Sequence, residues 1–189
     1  MSTTTTTTEA RVFLTDYASY NNGTQFEFGH WVELSQFGDA EELNDYIRNH
    51  FAECDEASPL DNYDSIREEI MITDYEGFPS VFYSESMSFE NLFEYFERAE
   101  SSGYDIEVIE AFAEHGNYSI EDIDTFFDAL EESYSGEFTS DENFAMDMAE
   151  QTGYEESNSW PHSCIDWERA ARDLMYDYYE SNGHYFRSI

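Results

Sequence analysis

Apolar and acidic positions interleave on a helical period through the middle of the chain. In residues 88–101, Phe89, Leu92, Phe93 and Phe96 fall at i, i+3, i+4 and i+7, which predicts a helix with one apolar stripe. Glu90, Glu94 and Glu97 occupy a different face of the same helix. Residues 105–115 repeat the scheme, with Ile106, Ile109, Phe112 and Ala113 inward and Glu107, Glu110 and Glu114 outward. Ser119 with Asp122 resembles a capping box. The helix it opens carries Ile120, Ile123, Phe127 and Leu130 on its core side and Glu121, Asp124, Asp128 and Glu132 as an outer row. Three such helices would pack as a small bundle with carboxylates outside.

The flanking segments carry mixed signals. Residues 11–17 are rich in β-formers, 18–23 form a turn cluster, and 28–34 are positioned to return as a second strand. Residues 39–54 suit a helix with Leu43, Tyr46, Ile47 and Phe51 on one face, and 69–75 suit a third strand ended by Glu76-Gly77-Phe78-Pro79. Toward the C-terminus, Ser140 is placed to cap a helix over 141–152, with Phe144, Met148 and Ala149 inward and Gly153 as its stop. Trp160-Pro161 marks an extended break, 165–175 reads as another helix, and 176–179 with 184–189 as a hairpin around Asn182-Gly183. The fold class is therefore α+β. Its expected parts are a disordered Thr-rich tail (1–9), an N-terminal α+β domain (10–86), a helical domain (87–132) and a C-terminal α+β domain (133–189).

Charge changes this picture more than any motif does. Of 189 residues, 44 are Asp or Glu and seven are basic, a formal charge of −37. All the basic residues are Arg, which suits forked pairing with carboxylates and stacking on rings. They are expected to be internal struts for an acidic surface. The acid is spread along the whole chain: net −15 over residues 1–86, −13 over 87–132 and −9 over 133–189. Acidic chains that stay unfolded are poor in aromatics, whereas 18% of this one is Phe, Tyr or Trp. The chain is expected to fold despite strong self-repulsion, and a charge kept against that cost calls for a use. Binding to nucleic acid does not fit such a charge, because phosphate affinity needs clusters of Lys or Arg. Side chains three or four apart on a helix lie about 5–6 Å apart at Cβ. Duplex DNA carries one charge per roughly 1.7 Å of axis. Rows of outward carboxylates can thus approximate the charge pattern of a duplex.

No catalytic signature accompanies the charge. GxSxG, P-loop, post-strand GxGxxG and HExxH are all missing, so the chain is not expected to be an enzyme and no cofactor is expected. His162, Cys164 and Asp166 are the nearest approach to a metal-ligand group and lack a second ligand pair. His30, His50, His115 and His184 read as structural. Cys54 and Cys164 are expected to be buried free thiols in a cytoplasmic protein. No apolar run approaches the roughly 18 residues that would span a membrane, and the N-terminus lacks the basic and apolar regions of a signal peptide. Two rival readings of the acidity are adaptation to high salt and an acidic chaperone for basic proteins.

Several stretches together are similar to the ArdA antirestriction family. They are Arg11 to Tyr17, Tyr20 to Gly23, Gly29 to Leu34, Ile72 to Phe78 and Ile165 to Leu174. Residues 133–154 resemble that family's antirestriction motif through Tyr134, Gly136, Glu137, Phe138, Phe144, Ala145, Ala149 and Glu150. The resemblance covers roughly residues 10–189. It departs from the family in the Thr tract and in a longer link around residues 57–63. It implies three small domains in line, an elongated curved shape and a homodimer joined through the C-terminal domains. It also implies binding to the methyltransferase core of type I restriction–modification enzymes in place of DNA, and an origin in phages, plasmids or conjugative elements.

Overall fold

In a computed structural model, residues 10–59, 66–116, 118–155, 157, 159–160 and 162–189 are described. The expected tail, part of the 57–63 link, Pro161 of the expected break and the Ile120 side chain lie outside these residues. The protein is α+β, with two small antiparallel sheets and helices about them. It divides into two compact units, Met1–Asp124 and Thr125–Ile189.

In the first unit, β1 (Arg11–Asp16) lies between β2 (His30–Glu33) and β3 (Ile70–Glu76), in the order β2-β1-β3. Val12 pairs with Val32, and a register shift between Phe13 and Leu14 on the β3 side turns extra residues inward. Val12, Leu14, Thr15 and Asp16 are accordingly all buried. Asp16 ends the strand and caps the next element: its Oδ1 accepts the Ser19 amide at 2.7 Å. For this reason the expected turn at 18–23 is instead a short helix, α1 (Tyr17–Asn21), closed by Gly23 at φ 74° and followed by α2 (Gln25–Phe28). Asp39 caps α3 (Ala40–Ala57), which buries Leu43, Ile47 and Phe51. Tyr46, expected on that face, is 37% exposed, because its ring turns toward Phe37 and His30 at the helix flank.

Ser88 caps α4 (Phe89–Ser102), and Gly103 at φ 76° stops it. The stripe is rotated from the expected one. Phe89, Leu92, Tyr95 and Phe96 are buried while Phe93 is half-buried, because Phe82 packs against Tyr95 (ring centroids 5.0 Å) and Phe78 against Phe96 (6.3 Å). These contacts tie the helix to residues 78–82, which precede it. In α5 (Ile106–Ala113), Val108 and Ala111 are buried beside Ile109, Phe112 and Ala113, and Ile106 is half-buried. A 3-10 turn, Ile120–Asp122, leads into α6 (Ile123–Ser133). Ser119 caps that turn, accepting the Glu121 amide at 3.3 Å and donating to Asp122 Oδ2 at 3.1 Å. Ile123, Phe126, Phe127 and Leu130 are buried.

The second unit is built on β4 (Tyr134–Glu137), β5 (Tyr178–Ser181) and β6 (His184–Arg187), in the order β4-β6-β5. Asn182 at φ 53° and Gly183 at φ 85° make the two-residue turn between β5 and β6. That geometry matches the twist of antiparallel strands. Ser140 caps α7 (Asp141–Gln151) and Asp166 caps α8 (Trp167–Leu174). Phe144 is the centre of this core, 4.6 Å from the Tyr185 ring and 5.2 Å from the Phe138 ring. Met148 and Ala149, expected inward, are half-buried.

Candidate functional site

The ten carboxylates singled out on the helices are all exposed: Glu90, Glu94 and Glu97 on α4, Glu107, Glu110 and Glu114 on or just after α5, then Glu121, Asp124, Asp128 and Glu132. Each row sits opposite a buried apolar face, so the hydrophobic pattern that folds the helix also orients its charge. The rows are not electrostatically uniform. Glu90 is held: Ser88 Oγ donates to it at 2.8 Å and Asn44 Nδ2 of α3 at 3.3 Å. Its carboxyl lies below the usual range because its own backbone amide, then Ser88, stabilises the anion. Glu110 is the opposite case. Partial burial raises its pKa, and the neighbouring Glu114 and Glu107 raise it further. Glu110 and Glu114 also line a cavity of ≈ 160 Å³ with Phe78, Pro79, Ser80, Val81 and Ala113. Asp124 pairs with Arg98 at 3.3 Å. The hold of Asn44 on Glu90 crosses between distant segments, and no spacing in the sequence signals it.

Arg11, Arg48, Arg67, Arg98 and Arg172 meet acids, mostly at the surface. Arg11 reaches Glu76 at 2.7 Å and Glu33 at 3.8 Å while its guanidinium lies 4.6 Å over the Trp31 ring. Arg48 pairs with Asp45, and Arg172 with Glu168 at 3.0 Å. Only Arg67 is an interior strut. It bonds Asp55 at 2.6 Å, the Ser58 carbonyl at 3.0 Å and Ser19 Oγ at 3.1 Å, and it lies 4.1 Å over the Phe28 ring. The Asp16 carboxylate is 3.8 Å away.

The eight residues expected to form the antirestriction motif divide by placement. Phe144 and Ala145 are buried, and Tyr134, Phe138 and Ala149 are half-buried. Tyr134 Oη lies 3.3 Å from His184 Nδ1. Gly136 sits at φ 123°, at a register shift of β4 against β6, where a Cβ would meet the Phe138 ring at 3.0 Å. Glu137 and Glu150 are exposed. Most of these eight residues therefore serve the fold of the second unit, and the two carboxylates among them face solvent.

The expected buried thiols are corrected: Cys54 is half-buried, in the last turn of α3, and Cys164 is exposed, at the end of a short 3-10 turn (His162–Cys164). Asp166 caps α8, and among the described residues no three His, Cys, Asp or Glu side chains come together as a metal site. No described helix is long and apolar enough to cross a membrane. No curated protein matches the chain. The family described as "Antirestriction protein (ArdA)" does match, over residues 12–187. With nearly its whole length inside that match, the chain belongs to the ArdA antirestriction family.

Proposed function

We propose that the protein inhibits type I restriction–modification enzymes by occupying the DNA-binding groove of their methyltransferase core. The observation that carries this reading is the set of ten exposed helix carboxylates, each opposite a buried face, in a chain of net charge −37. A groove lined to hold phosphates would accept such rows by charge complementarity. Glu137 and Glu150 of the motif add to them. In this reading the protein acts in the cytoplasm, as a product of a mobile element. It is elongated, with domains at 10–86, 87–132 and 133–189. It assembles as a homodimer through 133–189, where net charge per segment is smallest and like-charged subunits repel least. The test is capture of purified methyltransferase core on the immobilised protein, with and without duplex DNA carrying the target site. Retention that duplex displaces is the expected outcome. Retention indifferent to duplex, or none, would refute the groove as the target.

A further inference from the structure

His30 of β2 and His50 of α3 lie ring to ring, with centroids 4.1 Å apart. The pair is bracketed by α3 residues at helical spacing: Tyr46, His50 and Cys54 fall at i, i+4 and i+8. His30 Nε2 is 2.6 Å from Tyr46 Oη, and His50 Nε2 donates to the Phe28 carbonyl at 3.1 Å, with Cys54 Sγ 3.6 Å from the same nitrogen. His30 Nδ1 is buried without a hydrogen-bond partner. In a chain with 44 acids, neither imidazole forms an ion pair with a carboxylate among the described residues. The charged groups nearby are otherwise engaged. Asp16 of β1 and Asp55 of α3 face Arg67, and these three with Glu53 act on Cys54. The arrangement suits a neutral His30: its Nδ1 is buried without a partner among the described residues, its ring lies against a second imidazole, and the Phe28 backbone favours its charged form only in part.

We propose that the His30–His50 ring pair forms an acid-sensing latch that clamps α3 to β2 while His30 is neutral and loosens it once His30 is protonated. Burial, and secondarily His50, lower the pKa of His30, with the Phe28 backbone opposing in part. The unfolded or released state, with an ordinary pKa near 6.5, then binds more protons than the clamped state. Clamping is therefore complete above the ordinary histidine range and is lost as pH falls below it, levelling off beneath the depressed value. Asn44 on α3 also holds Glu90, so release of this helix reaches one acidic row.

The experiment is a histidine-resolved NMR titration of the full chain from about pH 8 to about pH 5, the interval in which this side chain changes charge. Hydrogen exchange of α3 amides is followed in parallel and corrected for intrinsic rates. The expected result is a depressed midpoint for one ring. Each unit of depression should bring a tenfold loss of local protection, since one pKa unit is a tenfold change in equilibrium. H30Q should remove the loss, H50Q, which keeps a donor for Phe28, should reduce it only by the part that His50 contributes, and C54S should keep it. Ordinary midpoints for both rings, protection of α3 that does not change with pH, or a loss that survives in H30Q would overturn the latch.

Discussion

Arg67 sits where water does not reach, and its guanidinium answers two carboxylates, a hydroxyl and a carbonyl at once. Removing one partner of a buried pair leaves the other charge uncompensated, at a cost of about 3–5 kcal/mol. R67M is expected to destabilise the first unit by that order, read from the midpoint of urea unfolding. R67K keeps the charge but not the planar fork, so it should recover only part. A loss of no more than a few tenths of a kcal/mol in R67M would mean that Asp16 and Asp55 find other partners. The surface pairs, Arg48–Asp45 and Arg172–Glu168, should matter far less, because exposed pairs contribute roughly 0–1 kcal/mol.

Helices were more legible in the sequence than the short elements around them. α3, α4, α5 and α7 stand close to where apolar periodicity puts them, and Ser140 caps α7 as its local sequence announces. The phase within α4 was not legible: Tyr95 outranks Phe93 because Phe82 waits for it, and only tertiary packing decides that. β4 escaped notice because Tyr134-Ser135-Gly136-Glu137 has no strand alternation and contains a glycine. Its partner β6 is some 50 residues away. The acidic rows were fully legible, whereas the hold on Glu90 and the raised Glu110 depend on folding. The motif is best tested at this scale. G136A places a Cβ against Phe138 and an L residue at φ 123°. It is expected to cost about 1–3 kcal/mol, the usual price of a sparsely populated backbone conformation. Thermal unfolding should show the loss, with inhibition falling only in step with unfolded protein. E137Q and E150Q should leave the melting curve in place, and any inhibition they lose would come from contact.

A whole-molecule charge of −37 must be met by an ion atmosphere in the free protein. DNA condenses counterions and releases them on binding, which steepens its salt dependence. Carboxylates on helix faces are set less densely than duplex phosphates. Binding of this protein should still weaken with salt, given a screening length of about 8 Å at physiological ionic strength. The logarithmic slope should nevertheless be shallower than that of the same enzyme on DNA, so the inhibitor competes best at moderate or higher salt. Paired titrations across that range check it, and a zero slope or one steeper than DNA's refutes it. Neutralising Glu121, Asp124, Asp128 and Glu132 to amides should lower affinity in graded steps and flatten the slope further, with folding intact. Loss of all binding from one of these substitutions would point to a hot spot instead of distributed charge.

The hairpin turn of the second unit has a consequence for how the protein ages. Asn followed by Gly is the sequence in which a backbone amide most readily attacks the Asn side chain, expelling ammonia through a cyclic imide. Here the attacking amide, that of Gly183, is engaged by Glu180 Oε1 at 2.6 Å, and Asn182 is fixed in a left-handed conformation by the β5–β6 register. The carboxylate of Glu180 thus acts as a chemical preservative: it occupies the nucleophile that would otherwise convert Asn182 into an acid or an isomerised backbone. Replaced by Ala, it would leave the turn to deamidate on storage, visible as a slow gain of one negative charge confined to the C-terminal peptide.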